Sequence, residues 1–253
     1  MSKSCPINQT AVKPPDIVYA AQKLIDSNLL TMLPNLAKVM AEIGQEDAAL
    51  SLRRLAATFA AEGDSYLQTT LSFLIDILQA TFESKGNPET VYPLLLENVE
   101  LLEPHLVYIL RHWAMMSFCV VSPQESTIIA GVLVDFGGLI WAFPEGERDI
   151  NIEIAIACCE MALRIYNRIE HPQEWASTEN NLALAYSYRC IGSPVENIRR
   201  AYIHYYRGKQ IFQRQSFPQE WTPISFPAIC PELSKTIADL ERSLTATDSS
   251  TTP

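Results

Sequence analysis

The sequence predicts an all-α chain, an antiparallel helical bundle running on into an α-solenoid of paired helices. Three observations carry that prediction. Apolar residues recur at three- and four-residue spacing over most of the 253 residues, the spacing that lines one face of a helix. Glycine is scarce, nine in all, which disfavours both a β-rich chain full of tight turns and a glycine-rich nucleotide fold. The third observation is a repetition: His171-Pro172-Gln173-Glu174-Trp175 returns 46 residues later as Phe217-Pro218-Gln219-Glu220-Trp221. At that offset Asn151 pairs with Asn197, Ile152 with Ile198, Ala155 with Ala201, Ile165 with Ile211, Tyr166 with Phe212 and Arg168 with Arg214. A period in this range marks stacked helix pairs, each too small to bury its own apolar face without a neighbour.

Taken in order, residues 1–13 read as a disordered leader without the apolar core of a secretory signal. The N-terminal helical region spans 14–143. Apolar stripes predict helices over 16–28, 33–43 and 47–62, the last closed by Gly63, and a long central helix from Tyr66 to Ser84 with apolar residues on more than one side. Lys85-Gly86-Asn87-Pro88 is a stop followed by a start, with Asn87 as cap and Pro88 in the first turn. Pro93 leaves two readings open, a kink or a later helix start. A helix from His105 to Phe118 follows, and Ser122-Pro123-Gln124-Glu125 spells a capping box for the next.

Thr127 to Phe143 is apolar but short for a membrane span, holds Asp135 near its middle, and carries Gly131, Gly137 and Gly138. It reads as a buried helix with a close-packing glycine face. Phe143-Pro144-Glu145-Gly146 is the candidate boundary. Beyond it, residues 147–244 hold the repeats and a C-terminal capping helix. Helices are predicted from Ile150 to Glu170, from Pro172 to about Arg189, and from Pro194 to Gln215, where Ser193 and Glu196 form a second capping box. Pro223, Pro227 and Pro231 interrupt the second copy. Residues 231–244 then form the cap, and 245–253 a disordered tail.

Two patterns resemble the tetratricopeptide repeat. Ala155-x-x-x-Cys159-x-x-Ala162 and Ala201-x-x-x-Tyr205-x-x-Gly208 are similar to that family's second helix, and Leu182-Ala183-x-x-Tyr186 to its first. The period is longer than the family's usual one. The long-period type common in cyanobacterial proteins is the closer resemblance, with its asparagine-isoleucine helix start and proline-glutamine-tryptophan link. In that group a CHAT peptidase domain often follows the repeats. None follows here, so its catalytic cysteine and histidine have no counterpart.

Composition bounds the function. A net charge of −10 and a pI near 4.9 argue against general binding to nucleic acid or anionic lipid. The six cysteines are dispersed, without a C-x-x-C pair or metal-finger spacing, which fits reduced thiols in a cytoplasmic protein. No phosphate loop, nucleophile elbow or H-E-x-x-H motif occurs, so no cofactor, metal or catalytic residue is expected. Asp135-Phe136-Gly137 spells a kinase tripeptide but lacks the rest of that signature. His112 and Cys119 share a helical face, yet two ligands do not make a metal site. Cys158 and Cys159 are vicinal and cannot both face one side.

The expected function is therefore a non-catalytic adaptor or scaffold that binds a protein or peptide partner. Its resemblance to tetratricopeptide modules implies a groove at Asn180, Asn181, Leu184, Ser187 and Tyr188. Arg199, Arg200, Arg207, Lys209 and Arg214 against Glu196 form a basic strip suited to an acidic partner. The alternatives are an enzyme or small-molecule sensor with a pocket around His105, His112 and Asp135, or a regulator of a separately encoded CHAT-type peptidase.

Overall fold

In a computed structural model, residues 64–215 are described, together with single positions at Lys38, Ala41, Leu50, Arg53 and Arg242. Seven helices and no strand occupy the described residues, and the class is all-α. Apart from those single positions, the helices expected before Gly63, the Trp221 half of the repeat and the capping helix over 231–244 lie outside the described residues.

Local chemistry sets most helix ends. α1 (Asp64–Ser84) stops at Lys85 and Gly86, whose φ values of 55° and 72° are left-handed. The Asn87 side chain accepts the Glu89 N–H at 3.0 Å and opens α2 (Pro88–Glu97). Pro93 lies inside α2, so the helix begins at Pro88. A 3₁₀ turn (Val99–Leu101) leads to α3 (Pro104–Val120). The Ser122 hydroxyl then accepts the Glu125 N–H, and the Glu125 carboxylate accepts the Ser122 N–H at 2.8 Å, the full capping box of α4 (Pro123–Ala142).

α5 (Arg148–Ala162) ends well before the expected Glu170. Arg164 and Ile165 bond back three residues, to the carbonyls of Met161 and Ala162, and Asn167 Oδ1 accepts the N–H groups of Ile169 and Glu170 at 3.0 and 2.9 Å. An asparagine side chain offers the backbone a turn in place of helix, and here the turn wins. α6 (Pro172–Tyr188) and α7 (Pro194–Gln215) follow. The second capping box is only half made. The Glu196 N–H reaches the Ser193 hydroxyl at 3.5 Å, and its carboxylate goes to Arg199 and Arg200 instead.

The principal core joins α1 to α5. Leu74, Ile77 and Leu78 of α1 pack with Val91 and Leu95, Leu106, Leu110 and Trp113, Leu133, Phe136 and Ile140, and Ile154 and Cys158. All are essentially sealed from solvent, and each large side chain so buried contributes roughly 1.5–3 kcal/mol. The core runs straight through the link after α4: Phe143 is buried and meets Tyr92 edge-on at 5.1 Å. α4 is long and apolar enough to cross a membrane, and half of its apolar window is buried inside the protein. Gly137 faces α5, where a Cβ would come within 3.1 Å of Cys158 Cβ, whereas one at Gly138 would meet nothing within 4 Å.

α4–α5 and α6–α7 are two helical hairpins built to one plan, each closed by a five-residue link. The 46-residue offset relates them up to Ala162 and its counterpart Gly208, beyond which only α7 continues as helix. Buried positions 129, 130, 132, 133, 136, 137, 139 and 140 of α4 return at 175, 176, 178, 179, 182, 183, 185 and 186 of α6. Both links hold a left-handed glycine, Gly146 (φ 77°) and Gly192 (φ 86°). Five residues on, a buried asparagine reaches back six residues: Asn151 Nδ2 donates to Glu145 O at 2.8 Å, and Asn197 Nδ2 to Ile191 O at 3.0 Å. Where the helices of a pair cross, small residues meet. Ala130 and Ala162 share one cluster, and a Cβ on Gly208 would lie 2.9 Å from the Ala176 carbonyl oxygen.

Candidate partner-binding surfaces

The expected groove residues on α6 divide into two sets. Asn181 and Leu184 line a crevice of about 60 Å³ with Gly137, Gly138 and Trp141 of α4, over a floor of Ala155 and Cys159 from α5. Tyr188, 51% exposed, meets Trp141 edge-on at 6.0 Å and extends the same surface. The indole ring of Trp141 is held from its other neighbour, with the Arg148 guanidinium 4.8 Å from its centroid. Asn180 and Ser187 are elsewhere. Asn180 stands beside Gly208 where α7 crosses, and the Ser187 hydroxyl donates to the Leu184 carbonyl of its own helix at 2.7 Å.

Three of the five cations of the basic strip on α7 meet a carboxylate within the protein. Arg199 makes a bidentate pair with Glu196, at 2.7 and 2.8 Å, and Arg200 reaches the same carboxylate at 2.9 Å. The bonds from Arg199 and then Arg200 hold the Glu196 carboxyl down to about 2. Arg207 lies 3.7 Å from Glu179, and Lys209 sits over the Tyr205 ring. The Arg214 side chain lies outside the described residues.

A polar network that the sequence reading did not pick out joins α3, α5, α6 and α7 around Tyr186. The Tyr186 hydroxyl donates to Glu160 at 2.8 Å, and Arg111 pairs with the other Glu160 oxygen at 2.5 Å. Burial opposes the charge on Glu160, yet Arg111 and Tyr186 outweigh it and hold its carboxyl below the ordinary value. The Tyr186 ring stacks on His204 at 5.6 Å, and His204 Nδ1 lies 2.5 Å from the buried Glu179 carboxylate. Arg189 forks onto Glu153 at 2.5 and 3.0 Å and also donates to Asn197. One signal was available in the sequence. Glu179 and Tyr186 stand seven apart on α6, and Arg200, His204 and Arg207 recur at four and three on α7, so each set shares a helical face.

The three residues of the alternative pocket do not converge in any described cleft. Asp135 lines a surface cleft between α4 and α6 with Tyr166 and Glu174, in which neither His105 nor His112 takes part. Burial pushes the Asp135 carboxyl up and the His112 imidazole down. His105 lies 3.6 Å from Glu103. Cys158 and Cys159 are both sealed from solvent, and burial pushes the Cys159 thiol up to about 12, which keeps it protonated and unreactive. Among the described residues no group of three or more His, Cys, Asp or Glu could hold a metal ion.

Comparison with family models, with curated proteins and with solved structures finds no match. The molecule is thus defined by its own geometry: an all-α chain whose last four described helices form two hairpins in a shared register.

Proposed function

We propose that the protein is a non-catalytic interaction module of tetratricopeptide-like helix pairs, holding a protein or peptide partner along the side shared by α4 and α6. The observation that carries this reading is the crevice between those helices. Gly138 presents no side chain there, so a partner's backbone can come close to α4. Trp141 and Tyr188 supply aromatic contact, a residue type that dominates binding energy at interfaces, and Leu184 adds apolar area beside them. Asn181 adds an amide able to bond both edges of an extended chain. The forks of Arg199 and Arg200 add a preference for carboxylates only to the extent that a partner competes with Glu196, so the apolar crevice dominates.

The test is selection of peptides from a random display library against the full chain, followed by fluorescence anisotropy. Tyr188→Ala is expected to weaken the selected peptides about tenfold. Its thermal unfolding should stay unchanged, because the ring is half exposed. Arg199→Glu/Arg200→Glu should weaken acidic peptides and spare neutral ones. Peptides that bind Tyr188→Ala as tightly as the parent chain would remove the α4–α6 assignment.

A further inference from the structure

At the opposite end of α4 from that crevice, a cleft of about 600 Å³ opens between the end of α3, the first turn of α4 and the α5–α6 link. Its volume falls within the range of small-molecule sites, and it is broadly open to solvent. Phe118, Val121 and Ile165 give it apolar walls, and between them stand polar side chains with unused hydrogen-bonding capacity. Ser126 is only 5% exposed, yet its hydroxyl bonds to nothing in the protein, although serines in helices readily bond a carbonyl four residues back. His171 Nδ1 is buried and has no partner. Arg164 is exposed at the rim and carries no ion pair or side-chain hydrogen bond among the described residues, whereas Arg111, Arg189, Arg199 and Arg200 are each paired with a glutamate. Gln124 is likewise unbonded.

Buried polar groups are nearly always satisfied, so the Ser126 hydroxyl and His171 Nδ1, both left open on one cleft beside the exposed Arg164 and Gln124, point to a ligand that completes them. The α4 amides are not the cause: Ser122 already accepts from Glu125 and Ser126 N–H. A guanidinium fork matches the geometry of a carboxylate, a hydroxyl and an imidazole nitrogen can complete its hydrogen bonds, and the apolar walls fit a short hydrocarbon body. Glu170, bonded to Asn167 at 2.7 Å, adds negative charge at the rim, which works against a dianion such as phosphate. We propose that this cleft is a binding site for a small monocarboxylate with a short apolar tail, its carboxylate held by Arg164 and Ser126.

The site is independent of the docking side, and the experiment keeps the two apart. The full chain is titrated calorimetrically with hexanoate, with hexanol and with inorganic phosphate. Hexanoate is expected to saturate a single site, and Arg164→Gln and Ser126→Ala each to weaken it about tenfold. Ser126→Ala should leave the unfolding temperature unmoved, because the hydroxyl it removes supports nothing in the fold. Tyr188→Ala should leave hexanoate binding intact. Hexanol binding as tightly as hexanoate, phosphate saturating in its place, no saturation by hexanoate, or an Arg164→Gln chain that binds like the parent would each overturn the proposal.

Discussion

The two hairpins share a backbone and differ in the side chains of one seam. In α4–α5 the outward seam is Leu133 and Ile140 with Ile154, Cys158 and Met161, all buried in the core that α1–α3 complete. The same offset places Glu179 and Tyr186 with Arg200, His204 and Arg207 in α6–α7. Among the described residues no three-helix bundle lies over that seam, and it carries the polar network in place of an apolar core. Features that act inside a hairpin stay fixed between the copies: the small residues at the crossing, the left-handed glycine and the buried asparagine. Features that answer to a neighbour change with the neighbour. The rule is physical, since an apolar seam left facing water would lose the burial that stabilises it, whereas paired and hydrogen-bonded charges tolerate partial exposure.

The comparison breaks most readily at the crossing. Gly208→Val would force a side chain against the Ala176 carbonyl, 2.9 Å from where its Cβ must sit, and is expected to cost about 3 kcal/mol in urea unfolding. A loss below about 1 kcal/mol would mean that the second crossing is looser than the first. Next in size is the buried asparagine. Asn197→Ala removes donation to two carbonyls, Arg189 O and Ile191 O, and should cost about 2 kcal/mol, against about 1 kcal/mol for Asn151→Ala, which removes one. Equal losses would deny the difference between the two links. The smallest effect sharpens the contrast directly. Glu179→Leu/His204→Cys writes the first hairpin's residues into the second and should change stability by less than about 1 kcal/mol, because a buried, hydrogen-bonded polar pair and a well-packed apolar pair are close in net stability. A large loss in that double variant would show that the network is required for the fold itself.

The class, the helix starts and the repeat were legible in the sequence because each is written locally. Asn87, Ser122 and the prolines after them name their helix ends by capping chemistry alone. The end of α5 was not legible. Apolar periodicity continues past Ala162, where the amides of Arg164 and Ile165 tighten onto carbonyls three residues back before the Asn167 side chain turns the chain. The upstream reach of the repeat was hidden for another reason. Phe136-Gly137, which reads as part of a stray kinase tripeptide, stands where Leu182-Ala183 stands in the next hairpin, and the two share burial but no residue identity. Of the proposed surface, Asn181, Leu184 and Tyr188 were expected only through the resemblance to tetratricopeptide modules. Trp141 was not expected, because its contact with Tyr188 spans two hairpins. The pairing of the α7 arginines was half visible: Glu196 lies three and four residues before Arg199 and Arg200, the spacing at which side chains on a helix meet.

Each amide clasp at the head of α5 and α7 bonds only to the link that precedes it, within six or eight residues of chain. Such a clasp travels with its own segment. A designer could therefore splice a further copy of residues 143–188 into the chain and expect its bend to form unaided, leaving only the outward-facing side chains to be rewritten for whatever lies alongside.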